Sequence, residues 1–181
     1  IRDRFSGHYF SPIPDPETLP VSLEETVAGD SLPVLNLIIG SNRNESLMYI
    51  PEGAELTDYL EGYFPPENWE DIKAMLGADL SELAQMDRLR SALRYTCPSL
   101  SLAQAAQEAG GSAYVYRFDR IREGFEAIGA YHGAELPYVF DTHDPWMPTN
   151  AIDHQITDAL VDYWIAFLTT GSPNESQSGR T

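Results

Sequence analysis

PVLNLIIG, residues 33–40, is an apolar run that opens on a proline and closes on a glycine, and SNRNES, residues 41–46, follows it directly. The run is short for a helix, and its Val, Leu and Ile content suits a strand. Apolar residues without alternation are the pattern of a strand covered on both faces, as in a parallel sheet. The polar, turn-forming residues after Gly40 then belong to the loop at the strand's C-terminal end. A second strand is predicted over AYVYRFD, residues 113–119, which is dense in aromatic and β-branched residues.

Between these strands the pattern is helical. Pro66 and Glu67 suit a first turn, with Trp69, Ile72 and Leu76 on one side and Gly77 as the stop. A second helix is predicted from Asp79, with Leu80, Leu83, Met86, Leu89 and Leu93 on its apolar stripe. SLSLAQAAQEAGG gives a third, closed by Gly110 and Gly111. A last helix runs from Asn150 to about Thr170, with Asn150 and Asp153 as a capping box. Its predicted buried face is Ile152, Ile156, Leu160, Tyr163, Trp164 and Phe167, and Gly171 and Pro173 end it. Residues 1–32, rich in Pro, Asp and Glu, read as irregular with short turns. Helices between strands indicate an α/β layered fold with parallel strands flanked by helices.

The chain has 181 residues, enough for one domain with a sizeable core, and 43% are hydrophobic. Its net charge is −17, and Lys73 is the one lysine. Such a surface repels phosphate backbones, so nucleic acid is excluded as a partner. No apolar run approaches the ~20 residues that cross a bilayer, so no transmembrane segment is expected. The opening IRDRFSGHYF lacks the apolar core of a signal peptide and, without Met, reads as mid-protein. Cys97 is the one cysteine, so no disulfide closes within the chain and no Cys-based zinc site exists. A buried free thiol is the expectation for it. Asn-Glu-Ser sequons at Asn44 and Asn174 leave the compartment open, secreted or cytoplasmic.

Two residues carry the candidate chemistry. Glu45 follows the first strand by a few residues, and His132 lies in GAYHGAELPYVF, residues 129–140, after the second. Open α/β sheets gather functional groups at the carboxyl ends of their strands. An acid that orients an imidazole and stabilises its cation, and an imidazole that takes a hydroxyl proton, are two thirds of a catalytic triad. They stand in the chain order acid, then histidine. The third member is absent: there is no G-x-S-x-G and no HGGG-like oxyanion segment, and neither Ser41 nor Ser46 has the features of a strained elbow.

These segments resemble one family. LNLIIGSNRNES resembles the acid segment of type-B carboxylesterases and cholinesterases, usually close to LLIGTNKDEG. GAYHGAELPYVF is similar to their histidine segment, AYVYRFDR to their late strand, and YTCPSLSLAQ to the stretch containing their Cys-Pro. DHQITDALVDYWIAFLTTGSPN is similar to their C-terminal helix with its TGxPN ending, and the order is collinear. The resemblance implies the C-terminal portion of an α/β-hydrolase fold over residues 1–181. Glu45 then takes the place of the triad acid and His132 that of the general base. The nucleophile serine and the oxyanion loop would come from the N-terminal half of the same hydrolase, upstream of Ile1, and the substrate would be a small-molecule ester. Asn44 stands where the family usually has aspartate, Ser46 where it has glycine, and Ser6-Gly7-His8-Tyr9-Phe10 is a looser match to an early DGYF pattern.

The remaining candidates have plainer readings. His8 lies in a proline-rich loop and reads as a surface or packing residue. His143 and His154 share no metal-ligand spacing with His132, and Asp141, Asp144 and Asp153 read as turn and cap residues, so neither metal nor cofactor is expected. Glu135 reads as a structural hydrogen-bond partner near the base, and Phe140, Trp146 and Met147 as core residues or, alternatively, pocket lining. Serine carboxylesterase is the functional expectation, with this chain alone inactive. The rival is a non-catalytic, cholinesterase-like binding or adhesion domain.

Overall fold

Strands β1 (Asn36–Asn42) and β2 (Ser112–Phe118) pair in parallel, from Asn36 opposite Ser112 to Asn42 opposite Phe118. The chain is seen in a computed structural model that describes residues 15–175 apart from Leu19, Asp30 and Ser31. The reading of His8 and the first half of the irregular stretch therefore lie outside the described residues. β1 begins three residues later than predicted and runs two further. Pro33 has no N–H for a ladder, and Ser41 and Asn42 pair with Arg117 and Phe118 instead of starting the loop. Residues 37–40 are half-buried where burial on both faces was expected, because β2 is the one strand beside them among the described residues. Gly40 admits no side chain: a Cβ there would stand 2.4 Å from the Tyr116 carbonyl oxygen.

A parallel pair needs a crossover, and here it carries four helices: α2 (Leu56–Tyr63), α3 (Trp69–Gly77), α4 (Glu82–Ser91) and α5 (Cys97–Glu108). Leu56 and Leu60 of α2, Leu76 of α3, and Met86 and Leu89 of α4 form one apolar core. A short helix, α1 (Leu23–Ala28), lies within the stretch read as irregular. Its local cause is a full capping box between Ser22 and Glu25, which satisfies orphan backbone donors at both ends of the exchange.

α4 begins at Glu82, not Asp79, because the Ser81 side chain caps it by accepting from Ala84 N–H. The rotation of α4 also departs from the predicted stripe. Leu83 is exposed, whereas Gln85, Asp87 and Ser91 are buried with Met86 and Leu89. A five-residue π-turn, Ala92–Thr96, joins α4 to α5. Cys97 is exposed, against the expectation of a buried thiol. The buried row of α5 is Ser99, Ala103 and Ala106, and Cys97 lies off that row.

After β2 the chain forms α6 (Leu136–Val139) and then α7 (Ala151–Thr170). α7 packs on β2 through Tyr114 against Phe167 and Tyr116 against Trp164. The capping box of Asn150 and Asp153 is present as predicted. Its inward face is corrected: Ile152 and Tyr163 are exposed, and Asp153, Thr157 and Ala166 are buried. Asp153 turns inward because Arg120 Nε and the Tyr138 hydroxyl donate to it, each at 2.7 Å. Phe140 and Trp146, read as core or pocket residues, are exposed, while Met147 is buried.

Burial alone would raise the Asp153 carboxyl, but the bonds from Arg120, Tyr138 and Asn150 N–H outweigh it and hold it well below its ordinary value. A depressed folded pKa stabilises the fold above the unfolded value and loses that contribution as pH falls toward the folded one. Asp153→Asn is therefore expected to destabilise by about 3 kcal/mol near neutral pH. The difference from wild type should shrink once pH drops below the ordinary 3.8. Urea midpoints of both proteins at neutral pH and in acid check this; a pH-independent difference would contradict the assignment.

Candidate active site

β1 and β2 end level, so the loops that leave them start side by side. The first loop carries Glu45, three residues past Asn42; the second carries His132. Glu45 Oε2 lies 2.6 Å from His132 Nδ1. Glu45 Oε1 accepts the backbone N–H of Asn42, also at 2.6 Å. The Glu45 side chain is 6% exposed and that of His132 is 47% exposed. A carboxylate accepts, so Nδ1 carries the proton between them, and in the neutral ring Nε2 keeps its lone pair. The structure thus brings the two sequence-predicted residues into direct contact.

The loops are latched to each other around this pair. Asn44 N–H donates to the Ala130 carbonyl at 3.0 Å, and Ala130 N–H donates back to Asn44 Oδ1 at 3.1 Å. Asn42 Nδ2 donates to the Tyr131 carbonyl at 2.8 Å and also to Glu135 Oε2. The structural reading of Glu135 therefore holds. Gly129 makes the close approach possible, with φ at +65° and the Asn44 side chain packed where a Cβ would stand. Behind His132, Phe118, Ala130, Ala134 and Tyr138 form a second buried cluster that fixes the loop on β2.

Aromatic rings flank the imidazole: the Tyr95 centroid lies 5.2 Å and that of Tyr49 6.2 Å from its own. Burial, then the charges of Glu135 and Glu45, raise the Tyr116 hydroxyl above its ordinary value. Sequence reasoning missed Asn42, Tyr49, Asp87 and Tyr95 as parts of this region. It met Asn44 as a sequon and as a departure from the family pattern. The available signal was Asp87 itself, a carboxylate set among the apolar positions Met86, Leu89 and Leu93.

His143 and His154 belong to a different cluster. Arg122 Nη2 donates to His143 Nδ1 at 2.7 Å, which leaves the proton on Nε2, facing Thr157 Oγ1 at 2.7 Å. Burial, then the neighbouring Arg122 charge, hold His143 below its ordinary value. Among the described residues, no group of three or more His, Cys, Asp or Glu side chains is placed to hold a metal ion. No helix among them is long and apolar enough to cross a membrane.

With this geometry in place, comparison with known proteins adds family context. The model of the carboxylesterase family matches residues 2–181. Para-nitrobenzyl esterase of Bacillus subtilis is 25% identical, over 92% of this chain and 35% of its own length. Secreted lipase 5 of Gibberella zeae is 26% identical, over 96% of this chain and 30% of its own. Human neuroligin-2 is 24% identical, over 92% and 24% respectively. A solved PNB esterase structure superposes with a TM-score of 0.73 at 24% identity, covering 95% of this chain and 37% of that one. That likeness shows an α/β-hydrolase fold. The chain spans between 24% and 37% of the length of these relatives.

Gly129→Ala is expected to break the Asn44–Ala130 latch, since the new Cβ would fall 2.2 Å from Asn44 Oδ1 at a positive φ. A loss of about 2 kcal/mol or more should follow. Denaturant unfolding measures it, and an unchanged midpoint would show that the latch bears no strain there.

Proposed function

The chain belongs to the carboxylesterase family, and on that premise we propose that it supplies the acid and the base of a serine esterase. The observation that carries the reading is the 2.6 Å bond between buried Glu45 and half-exposed His132. On this reading, residues 1–181 are the C-terminal part of a single α/β-hydrolase domain. The N-terminal part of the same protein brings the nucleophile serine and the backbone N–H groups of the oxyanion hole. The collinear order of the acid, late-strand, histidine and final-helix segments supports this placement.

The reaction follows from the tautomer. His132 Nε2 takes the serine proton as the hydroxyl oxygen attacks the ester carbonyl, and Glu45 stabilises the resulting imidazolium. The oxyanion hole holds the negative charge on the tetrahedral oxygen. His132 then returns the proton to the departing alcohol and an acyl-serine remains. A water deprotonated by His132 attacks that acyl group, and collapse releases the acid and the serine. A purely binding relative needs no buried carboxylate behind a half-exposed imidazole, which is why the enzyme is favoured over a binding or adhesion domain.

In the complete protein, His132→Ala and Glu45→Gln are each expected to lower kcat for p-nitrophenyl esters by roughly 10³-fold or more. Wild-type rates in either variant would defeat the assignment. The polypeptide of residues 1–181 alone is expected to show no ester turnover and no fluorophosphonate labelling. Stoichiometric labelling of that purified chain would reveal a nucleophile within it.

A further inference from the structure

We propose that Asp87 is the positioning residue of the acid loop, a role that rests on the esterase reading above. Asp87 lies on α4 and is 3% exposed. Its carboxylate has three donors, all neutral: Ser46 N–H at 3.0 Å and Ser91 Oγ at 3.2 Å on Oδ1, and Asn44 Nδ2 at 2.9 Å on Oδ2. A carboxylate removed from water holds such donors firmly, because each one lost leaves its charge less compensated. Asn44 and Ser46 are the residues on either side of Glu45. Asp87 therefore grips the residue before the acid by its side-chain amide and the residue after it by its backbone N–H.

The Asn44 amide extends this grip to the base. Its Nδ2 faces Asp87 while its Oδ1 accepts Ala130 N–H, two residues before His132. Only an acceptor at position 87 enforces that sense; a donor there would favour a flipped amide and open the latch. The same helical span continues into the π-turn, which sets Thr96 Oγ1 3.1 Å from Ser41 Oγ at the end of β1. Such turns, one residue wider than an α-turn, recur where a helix must re-aim side chains at a site. The α4–π–α5 span thus fixes strand end, acid and base against one another. Misplacing a catalytic pair by about an ångström lowers rate on the order of a hundredfold.

The test is a reciprocal exchange in the complete esterase. Asp87→Asn sets two amide donors face to face, and Asn44→Asp sets two carboxylates face to face. Each is expected to lower kcat about tenfold to a hundredfold, with KM within about twofold. The double variant N44D/D87N restores every bond with roles exchanged, since Asp at 44 accepts from both Ala130 N–H and the new amide. Its kcat should return to within about threefold of wild type. A readout independent of turnover is the downfield proton resonance of His132 Nδ1–H, lost in each single variant and regained in the double. A lower Tm in Asp87→Asn with kcat and this resonance unchanged would overturn the proposal, and so would a double variant that regains neither. Glu45→Gln separates the two readings: if it keeps full turnover the esterase reading fails, and the resonance alone then decides the role of Asp87.

Discussion

The register of one parallel strand pair governs this molecule. Asn42 and Phe118 are partners at the level where both strands end, so two loops more than seventy residues apart in sequence leave the sheet together. Pairing shifted by one residue would turn every side chain of β1 to the other face and carry the acid loop away from the histidine loop. The tight packing of Gly40 on Tyr116 opposes such a slip, because neighbouring Ile39 and Ser41 both carry a Cβ that has no room there. Contact between a carboxylate and an imidazole across the chain is thus a consequence of strand pairing, and the latches around it refine what pairing has already brought near.

Sequence reading reached the pair and missed its supports for one physical reason. Glu45 and His132 stand in segments with strong local signatures, a strand followed by polar turn residues and a glycine-flanked histidine. Both strands, the main helices and the capping box at Asn150 were legible on the same basis. The errors in the inward faces of the helices fall where a helix turns polar residues inward. An apolar stripe predicts Leu83, Ile152 and Tyr163 as core, yet Asp87, Asp153 and Thr157 are buried instead. Each of those is satisfied by a partner distant in sequence: Asp87 by the acid loop, Asp153 by Arg120 and Tyr138, Thr157 by His143. Hydrophobic periodicity registers transfer from water, and it has no access to hydrogen bonds that exist only once the fold is made.

The chain's acidity sharpens that point. With a net charge of −17, any buried carboxylate adds to self-repulsion as well as to desolvation. Among the described residues, the three most deeply buried ones are handled differently. Asp153 is matched by Arg120 in an ion pair. Asp87 is held by neutral donors alone. Glu45 is held by one backbone N–H and by the imidazole.

The reciprocal bonding of Asn44 bears on how the chain is made. Asn44-Glu45-Ser46 has the form of an N-glycan acceptor, yet in the fold its amide nitrogen faces the Asp87 carboxylate inside the protein. Asn174, in the exposed turn after α7, has the same form and an open side chain. In a secretory pathway that adds such sugars, the exposed Asn174 side chain leaves room for one before or after folding. At Asn44 the order of events matters, because a sugar attached to the nascent chain would occupy the space that the carboxylate needs. Folding and glycosylation compete for one nitrogen atom there, so the choice of expression host enters directly into whether the acid loop can close.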